Sequence, residues 1–173
     1  MTVTMRRGLV VAGAAVAVLG GAVAPVSAAG MGAQASYTNT RVEKTYAPDK
    51  AACFTMKGET KSGKALYQAK CGKNSTQRWD IKRVGTSGGN NLYVIKNRKS
   101  GKCLYVGSKT SGSAITQVKC KTSDSHQQWV LSGSRIINKW ASKAILSPND
   151  KSGTKLKTGK WGGGSKDESW GLS

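Results

Sequence analysis

The chain has 173 residues, and 28 Lys and Arg against 8 Asp and Glu give it a formal net charge of +20. This length is enough for one domain with a hydrophobic core. The large positive charge favours attraction of the protein to polyanions. With one histidine and few acids, the composition offers no complete set of general acid and base groups for catalysis.

The first segment of the chain has the three parts of a secretory signal peptide. Arg6 and Arg7 precede an apolar stretch rich in Val, Ala and Gly, and Pro25 ends this stretch just before the small residues around Ala28. The stretch is too short and too rich in Ala and Gly for a comfortable membrane span, which needs roughly 20 strongly apolar residues. The sequence therefore predicts a signal peptide over residues 1–29, secretion to the extracellular space and no membrane span.

The chain after residue 29 carries 26 basic and 8 acidic side chains, so its net charge is +18. Its lysines outnumber its arginines 21 to 5, and a lysine ammonium is a hydrated point charge without the fork geometry of a guanidinium. This surface favours delocalised attraction to anionic polymers, with nucleic acid bound only without sequence specificity. Residues 30–41 are small and polar, and they predict a flexible leader.

Four cysteines fit an oxidising compartment: Cys53, Cys71, Cys103 and Cys120. Four cysteines allow three pairings, and the sequence has no Cys-x-x-Cys spacing of the kind found in zinc ribbons and redox pairs. The spacing favours two local loops, Cys53 with Cys71 and Cys103 with Cys120. Each closure would stabilise the fold by roughly 3 kcal/mol in the chain-entropy model. No metal site and no cofactor are predicted.

Three tryptophans occupy similar sequence settings. Trp79, Trp129 and Trp170 each have Gln or Glu two residues before them and an apolar residue two after. They are separated by 50 and 41 residues, and Cys53 also lies 50 residues before Cys103. Short strand patterns separated by Gly, Ser, Asn and Lys surround these positions. Because one such unit cannot bury its own apolar face, we predict three units around an axis, with the three tryptophans in a shared core.

The three units differ in two respects. Ala144 and Trp161 stand where the third disulfide would be, and a small residue facing a large one would replace this bridge by packing. Trp161 is therefore predicted to be packed against the fold rather than to bind a ligand. The longer first period indicates an insertion over residues 85–91, whose composition is typical of a surface turn.

This pattern resembles the ricin-type β-trefoil family, in which each repeat has a Gln-x-Trp motif and one disulfide. The resemblance covers roughly residues 42–173, and it is strongest in the middle repeat, where residues 100–104, Cys120 and residues 127–129 follow one another in the family's order. It implies an all-β fold, a β-trefoil with three pseudo-repeats, over residues 42–173. It also implies sugar binding in shallow pockets, one in each repeat.

The pocket residues of the family are only partly present in this chain. The pocket acid lies two residues after the first cysteine of a repeat, where this sequence has Thr55, Tyr105 and Leu146. None of them is a carboxylate that accepts charge-assisted hydrogen bonds from sugar hydroxyls. The aromatic platform, two to four residues before the second cysteine, corresponds to Tyr67 in the first repeat and to Thr116 in the second.

The middle repeat has the most complete set of pocket residues. His126 and Gln127 stand where the family places a polar pair that contacts sugar, and each has an alternative role. His126 would otherwise be an exposed loop residue, and Gln127 would bond the backbone beside the buried Trp129. Trp140 is either exposed among lysines, where it would stack on a sugar ring, or buried. The candidate carbohydrate-binding residues are Tyr105, Thr116, His126, Gln127, Tyr67 and Trp140.

We predict a binding module without catalytic residues. Asp167 and Glu168 are adjacent, whereas glycosidase carboxyls face each other across the scissile bond. The preferred function is a secreted, monomeric, lectin-like module for extended or cell-wall polysaccharide. The alternative is a cationic binder of wall polymers, acidic glycans or extracellular nucleic acid, whose affinity would fall steeply with salt. A toxin or inhibitor built on a trefoil is the third alternative, and the sequence selects no target for it.

Overall fold

The computed structural model describes residues 36–46, 52–163 and 166–173, so the predicted signal peptide over residues 1–29 lies outside it. Short strands joined by turns account for this part of the chain, with three 3-10 turns, at Ser75–Gln77, Ser125–Gln127 and Lys166–Glu168. Within these ranges no helix has the length and apolar character needed to cross a membrane. The strands are β1 (Ser36–Thr40), β2 (Val42–Lys44), β3 (Ala52–Thr55), β4 (Tyr67–Lys70), β5 (Trp79–Ser87), β6 (Asn90–Asn97), β7 (Cys103–Val106), β8 (Ile115–Val118), β9 (Trp129–Ser132), β10 (Arg135–Asn138), β11 (Lys143–Leu146), β12 (Lys157–Gly159) and β13 (Trp170–Leu172).

Twelve of these strands form three units of four: β2–β5, β6–β9 and β10–β13. Hairpins join consecutive units, because β5 pairs with β6 and β9 pairs with β10, all antiparallel. The last strand β13 pairs with β2, and this contact brings the third unit back to the first. The predicted all-β trefoil with three pseudo-repeats is confirmed.

The three repeated tryptophans occupy equivalent places in one core. Each indole is fully buried and begins the fourth strand of its unit, and Phe54 contacts two of them, Trp79 and Trp170. Each indole N–H also donates to a backbone carbonyl 25 residues earlier, so the polar end of every buried indole has a partner. These bonds run from Trp79 to Phe54 at 3.4 Å, from Trp129 to Leu104 at 3.4 Å and from Trp170 to Ile145 at 2.8 Å.

A second threefold feature links neighbouring units through buried polar side chains. An interior residue of the third strand of each unit reaches a loop of another unit and lies within hydrogen-bond distance of its backbone carbonyls. Buried donors need such partners, since an unpaired one costs about 1–3 kcal/mol. The Gln117 amide donates to Glu59 and Lys61, and the Gln68 amide donates to Asn149 and Lys151. The Thr158 hydroxyl, which has one hydrogen, lies 3.2 Å from the Thr110 carbonyl oxygen and 3.4 Å from that of Ser113.

Both disulfides lie within single units and join Cys53 to Cys71 and Cys103 to Cys120. In the third unit, Ala144 is buried, with Ile137 and Gly159 as its partners on the two neighbouring strands. Trp161 has 48% of its surface exposed. The prediction that Trp161 packs in place of a third bridge is wrong, because the neighbouring strands already bury Ala144.

The N-terminal end of the described chain is more ordered than predicted. Residues 36–40, inside the predicted flexible leader over residues 30–41, form β1, which pairs antiparallel with β5. Tyr37 packs against the core, and the Thr40 hydroxyl donates to the Ser173 carbonyl at 2.9 Å. The flexible-leader prediction is therefore wrong for these residues, because the long β5 strand offers them an edge to pair with.

The insertion predicted over residues 85–91 contains an exposed turn, but most of its residues belong to strands. It extends β5 and β6 into a long hairpin whose turn consists of Gly88 and Gly89 alone. Both glycines have positive φ, +54° and +77°. This is the conformation that two-residue hairpin turns require and that glycine adopts without steric cost.

Candidate functional site

The strand register places the pocket positions of each repeat opposite each other. Across β3 and β4, Thr55 faces Tyr67, and across β7 and β8, Tyr105 faces Thr116. In the third repeat Leu146 faces Lys157. The positions that the resemblance assigns to a pocket acid and a pocket platform are thus adjacent in space in all three repeats.

Three candidate residues of the middle repeat meet in an aromatic stack, formed by Tyr105, His126 and Trp140. The ring centroids of Tyr105 and His126 are 5.3 Å apart, and their planes differ by 9°. Those of His126 and Trp140 are 3.8 Å apart, with planes that differ by 22°. All three side chains are half-buried, so each keeps part of its surface accessible to solvent.

Backbone contacts fix the imidazole within the aromatic stack. The His126 Nδ1 atom lies 2.9 Å from the Val106 carbonyl oxygen, within hydrogen-bond distance. The His126 backbone N–H donates to the Asp124 carboxylate at 3.0 Å, which caps the 3-10 turn before β9. His126 is therefore not an exposed loop residue, because the turn and the Val106 carbonyl hold its ring against the neighbouring aromatics.

Trp140 lies at the edge of the aromatic stack and is neither fully exposed nor fully buried. Its indole packs partly against the core, and the Lys109 Nζ atom is 5.1 Å from its ring centroid. Trp140 follows β10, the first strand of the third repeat, whereas Tyr105 and His126 belong to the second. The aromatic stack therefore spans two repeats, which the alignment of one repeat on another does not reveal.

Gln127, the residue after His126, is buried, with 3% of its surface exposed. Its side-chain carbonyl accepts the Lys121 N–H at 3.0 Å, and its amide donates to the Lys119 carbonyl at 3.3 Å. Gln77 makes the equivalent pair of backbone contacts in the first repeat, to Gly72 and Lys70. These contacts support the structural role of Gln127, and its contact with sugar stays a prediction.

The first repeat has a cavity of about 510 Å³ at its pocket position. Thr55 lies in its wall, and its hydroxyl oxygen accepts the Lys57 N–H at 3.0 Å. The Lys57 ammonium lies 4.0 Å from the ring centroid of Tyr67, so a cation covers the ring that was predicted as a sugar platform. The lining residues are Thr55, Lys57, Gly58, Ala69, Asn74, Ser75, Thr76, Gln77 and Lys99.

The third repeat has a shallow cavity of about 580 Å³ with a mixed lining. Leu146 occupies the space above Gly159, where a Cβ atom would collide with it. Asp167 also lines this cavity, and it lies one residue before Glu168 as His126 lies before Gln127. The resemblance does not identify Asp167 as a pocket acid, because it places that acid at the Leu146 position.

One grouping of possible metal ligands occurs in the described part of the chain: Glu43 with Cys53 and Cys71. A carboxylate oxygen of Glu43 lies 4.0 Å from each sulfur. Both sulfurs belong to the disulfide, whereas a cysteine binds metal as its free thiolate. This group therefore has no free thiolate to offer a metal ion.

Similar folds occur among solved structures. The designed threefold symmetric protein ThreeFoil is 18% identical with a TM-score of 0.65, over 80% of this chain and 98% of its own. A non-toxic homologue of type II RIPs from Momordica charantia, in complex with α-methyl-D-galactoside, is 19% identical with a TM-score of 0.65 over 82% of this chain. The Polyporus squamosus lectin, bound to Neu5Acα2-6Galβ1-4GlcNAc, is 17% identical with a TM-score of 0.62 over 78% of this chain.

These likenesses show the fold alone, because identity is below one fifth in each case. This chain spans 49% of the Momordica charantia protein and 48% of the Polyporus squamosus lectin. No protein with a curated description matches it in sequence. The family model of the ricin-type β-trefoil lectin domain matches residues 44–170. With that match over most of its 173 residues, the chain belongs to the ricin-type β-trefoil lectin domain family, a family of carbohydrate-binding domains.

Proposed function

We propose that this chain is a secreted, non-catalytic lectin module that binds an extended polysaccharide through the aromatic stack. The observation that carries this proposal is the meeting of Tyr105, His126 and Trp140 at the pocket position of the middle repeat. Aromatic rings present large, rigid surfaces, against which the C–H face of a sugar ring packs.

The chemistry of this position favours a polymer over a single sugar. Tyr105 replaces the acid that would accept hydrogen bonds from a monosaccharide's hydroxyls, so the strongest orienting contact is missing. Two polar groups beside the aromatic stack, the Thr116 hydroxyl and the Lys109 ammonium, make weaker or less directional contacts than a carboxylate at the Tyr105 position would. Repeated sugar units offset weak contacts, because binding at one unit raises the effective concentration of the next.

The position of the single histidine supports a non-catalytic role. A serine hydrolase needs a histidine that contacts its nucleophile and is oriented by an acid. His126 instead stacks on two aromatic rings and meets the Val106 carbonyl with Nδ1. Secretion is supported by the signal-peptide pattern of residues 1–29 and by the two disulfides, which persist in oxidising compartments.

Co-sedimentation with insoluble neutral polysaccharides tests the proposal. The chain from residue 30 onward, produced by secretion, is mixed with cell-wall glucans, chitin and xylan at low and at high salt. We expect retention on at least one of them, with little change between the two salt concentrations, because contacts to a neutral sugar release few counterions. Absence from all pellets, or retention at low salt only, would contradict the proposal.

A further inference from the structure

The cavity of the first repeat has hydrogen-bond donors where the family pocket has an acceptor. Thr55 stands at the position of the pocket acid, and two lysines, Lys57 and Lys99, line the cavity beside it. An ammonium group has three donors and no acceptor. The Thr55 hydroxyl oxygen accepts the Lys57 N–H, and unlike a carboxylate the hydroxyl carries no charge and also has a hydrogen to donate.

Two lysines lie over the ring of Tyr67, which faces Thr55 across β3 and β4. The Lys57 ammonium lies 4.0 Å from the ring centroid of Tyr67 and 3.4 Å from the Gly153 carbonyl oxygen. The Lys155 ammonium lies 6.0 Å from the same centroid. The negative face of an aromatic ring attracts cations, so Tyr67 stabilises the position of both lysines, of which Lys57 lines the cavity. Its ring is thereby less open to stacking by a sugar.

No carboxylate forms an ion pair with these lysines in the part of the chain that the structure describes. Its ion pairs use other cations, and the nearest acid in sequence, Glu59, pairs with Lys64 at 3.7 Å. Lys57, Lys99 and Lys155 therefore present uncompensated charge, on a molecule whose net charge is already strongly positive. Such a concave site concentrates anions.

We propose that the first-repeat cavity binds an acidic sugar unit of a polysaccharide, through the carboxylate or sulfate group that the sugar carries. The inference rests on the proposed function, because it assigns a second site with a different ligand class to the same lectin module. A volume of about 510 Å³ is in the range of small-ligand pockets, which suits one sugar unit. A lysine ammonium acts as a point charge and can bind either a carboxylate or a sulfate, because neither contact requires the forked geometry of an arginine guanidinium.

Two pairs of charge-removing variants test this assignment. Lys57→Gln with Lys99→Gln removes two charges from the cavity, and Lys119→Gln with Lys121→Gln removes two exposed charges outside its lining. Both double variants have the same net charge. Affinities are measured for polygalacturonate, dextran sulfate, neutral dextran and duplex DNA, at several salt concentrations.

We expect the cavity variant to lose about tenfold or more in affinity for one or both acidic polysaccharides, and the control variant to lose less than about twofold. The polymer with the larger loss identifies the group, carboxylate for polygalacturonate and sulfate for dextran sulfate. The salt slope should fall by about one for each cavity lysine that contacts the anion. Equal losses in the two double variants would overturn the assignment, as would an equally large loss for duplex DNA.

Thr55→Asp gives a second and independent test. The new carboxylate can accept the Lys57 N–H as the Thr55 hydroxyl does, so the local turn is preserved. It should weaken binding of the acidic polysaccharide about tenfold, because a negative charge then faces the anion. Unchanged acidic binding in a folded Thr55→Asp variant would overturn the inference. Binding of neutral polysaccharide without any preference for acidic ones would defeat this inference alone, whereas failure to bind neutral polysaccharide would defeat the proposed function.

Discussion

The imidazole of His126 and the indole of Trp140 stack with their centroids 3.8 Å apart. His126 lies in the 3-10 turn before β9, and Trp140 lies in the loop between β10 and β11. The stack therefore joins the end of the second repeat to the start of the third. Because the aromatic stack crosses a repeat boundary, it occurs once in the fold and is not repeated by the pseudo-threefold symmetry.

Replacing Trp140 should abolish most binding of neutral polysaccharide. Trp140→Ala removes the outer ring of the aromatic stack, and we expect affinity to fall at least about fivefold, as for a large aromatic contact. Trp161→Ala is the matched control, because Trp161 is exposed and does not belong to the aromatic stack. Affinity electrophoresis in polysaccharide gels measures both variants, and equal retardation of the two would contradict the assigned site.

The three core tryptophans should contribute comparably to stability. Trp→Phe at position 79, 129 or 170 removes an indole N–H bond and leaves a small void, so each should lower the free energy of unfolding by about 1–3 kcal/mol. Trp161→Phe should change it by less than about 0.5 kcal/mol, because that side chain is exposed. Urea unfolding followed by circular dichroism checks these values, and a core variant as stable as the wild type would contradict the equivalence of the repeats.

The buried amide of Gln117 should stabilise the contact between the first and second repeats. Gln117→Leu removes donors from the Glu59 and Lys61 carbonyls, and we expect a loss of about 1–3 kcal/mol in the free energy of unfolding. Gln128→Leu is the control with the same chemistry. The Gln128 Oε1 atom is buried without a partner among the described residues, and the amide makes a single bond to Thr122. We expect its loss to stay below about 1 kcal/mol, and the reverse order of the two variants would refute this account.

The two disulfides should make similar contributions to stability. Their cysteines are 18 and 17 residues apart, and the entropy of loop closure depends on that separation. Replacing Cys53 and Cys71 together by Ala, or Cys103 and Cys120 together by Ala, should cost about 3 kcal/mol in each case. Denaturant unfolding of the two double variants tests this expectation. A difference larger than about 2 kcal/mol would show that terms other than loop length dominate.

The repeat pattern made the fold predictable. Trp79, Trp129 and Trp170 recur with similar sequence neighbours because each indole is buried in the core and donates the same backbone hydrogen bond. The periodicity of the sequence therefore indicates which positions are structurally equivalent. Gln68, Gln117 and Thr158 also take equivalent places in space. Gln68 and Gln117 share a residue type, but Thr158 differs, so alignment of residue identities does not find the third member of the set.

The candidate site was less predictable, because its partners come from different repeats. The register placed Tyr105 opposite Thr116, as the alignment indicated, but the contact of His126 with Trp140 depends on how two loops pack. The cation over Tyr67 likewise comes from a loop residue, Lys57, whose backbone is left-handed with φ of +50°. Neither arrangement has a periodic signature, since each is made once.

The indole N–H resonances of the five tryptophans provide the most direct test of the central claim. In two-dimensional NMR spectra, titration with soluble oligosaccharides of a polysaccharide that retains the protein should shift the Trp140 resonance. The resonances of the buried Trp79, Trp129 and Trp170 should stay nearly unchanged, because these indoles are inaccessible to ligand. Binding that leaves the Trp140 resonance in place, or that moves only the Trp161 resonance, would contradict sugar recognition by the aromatic stack.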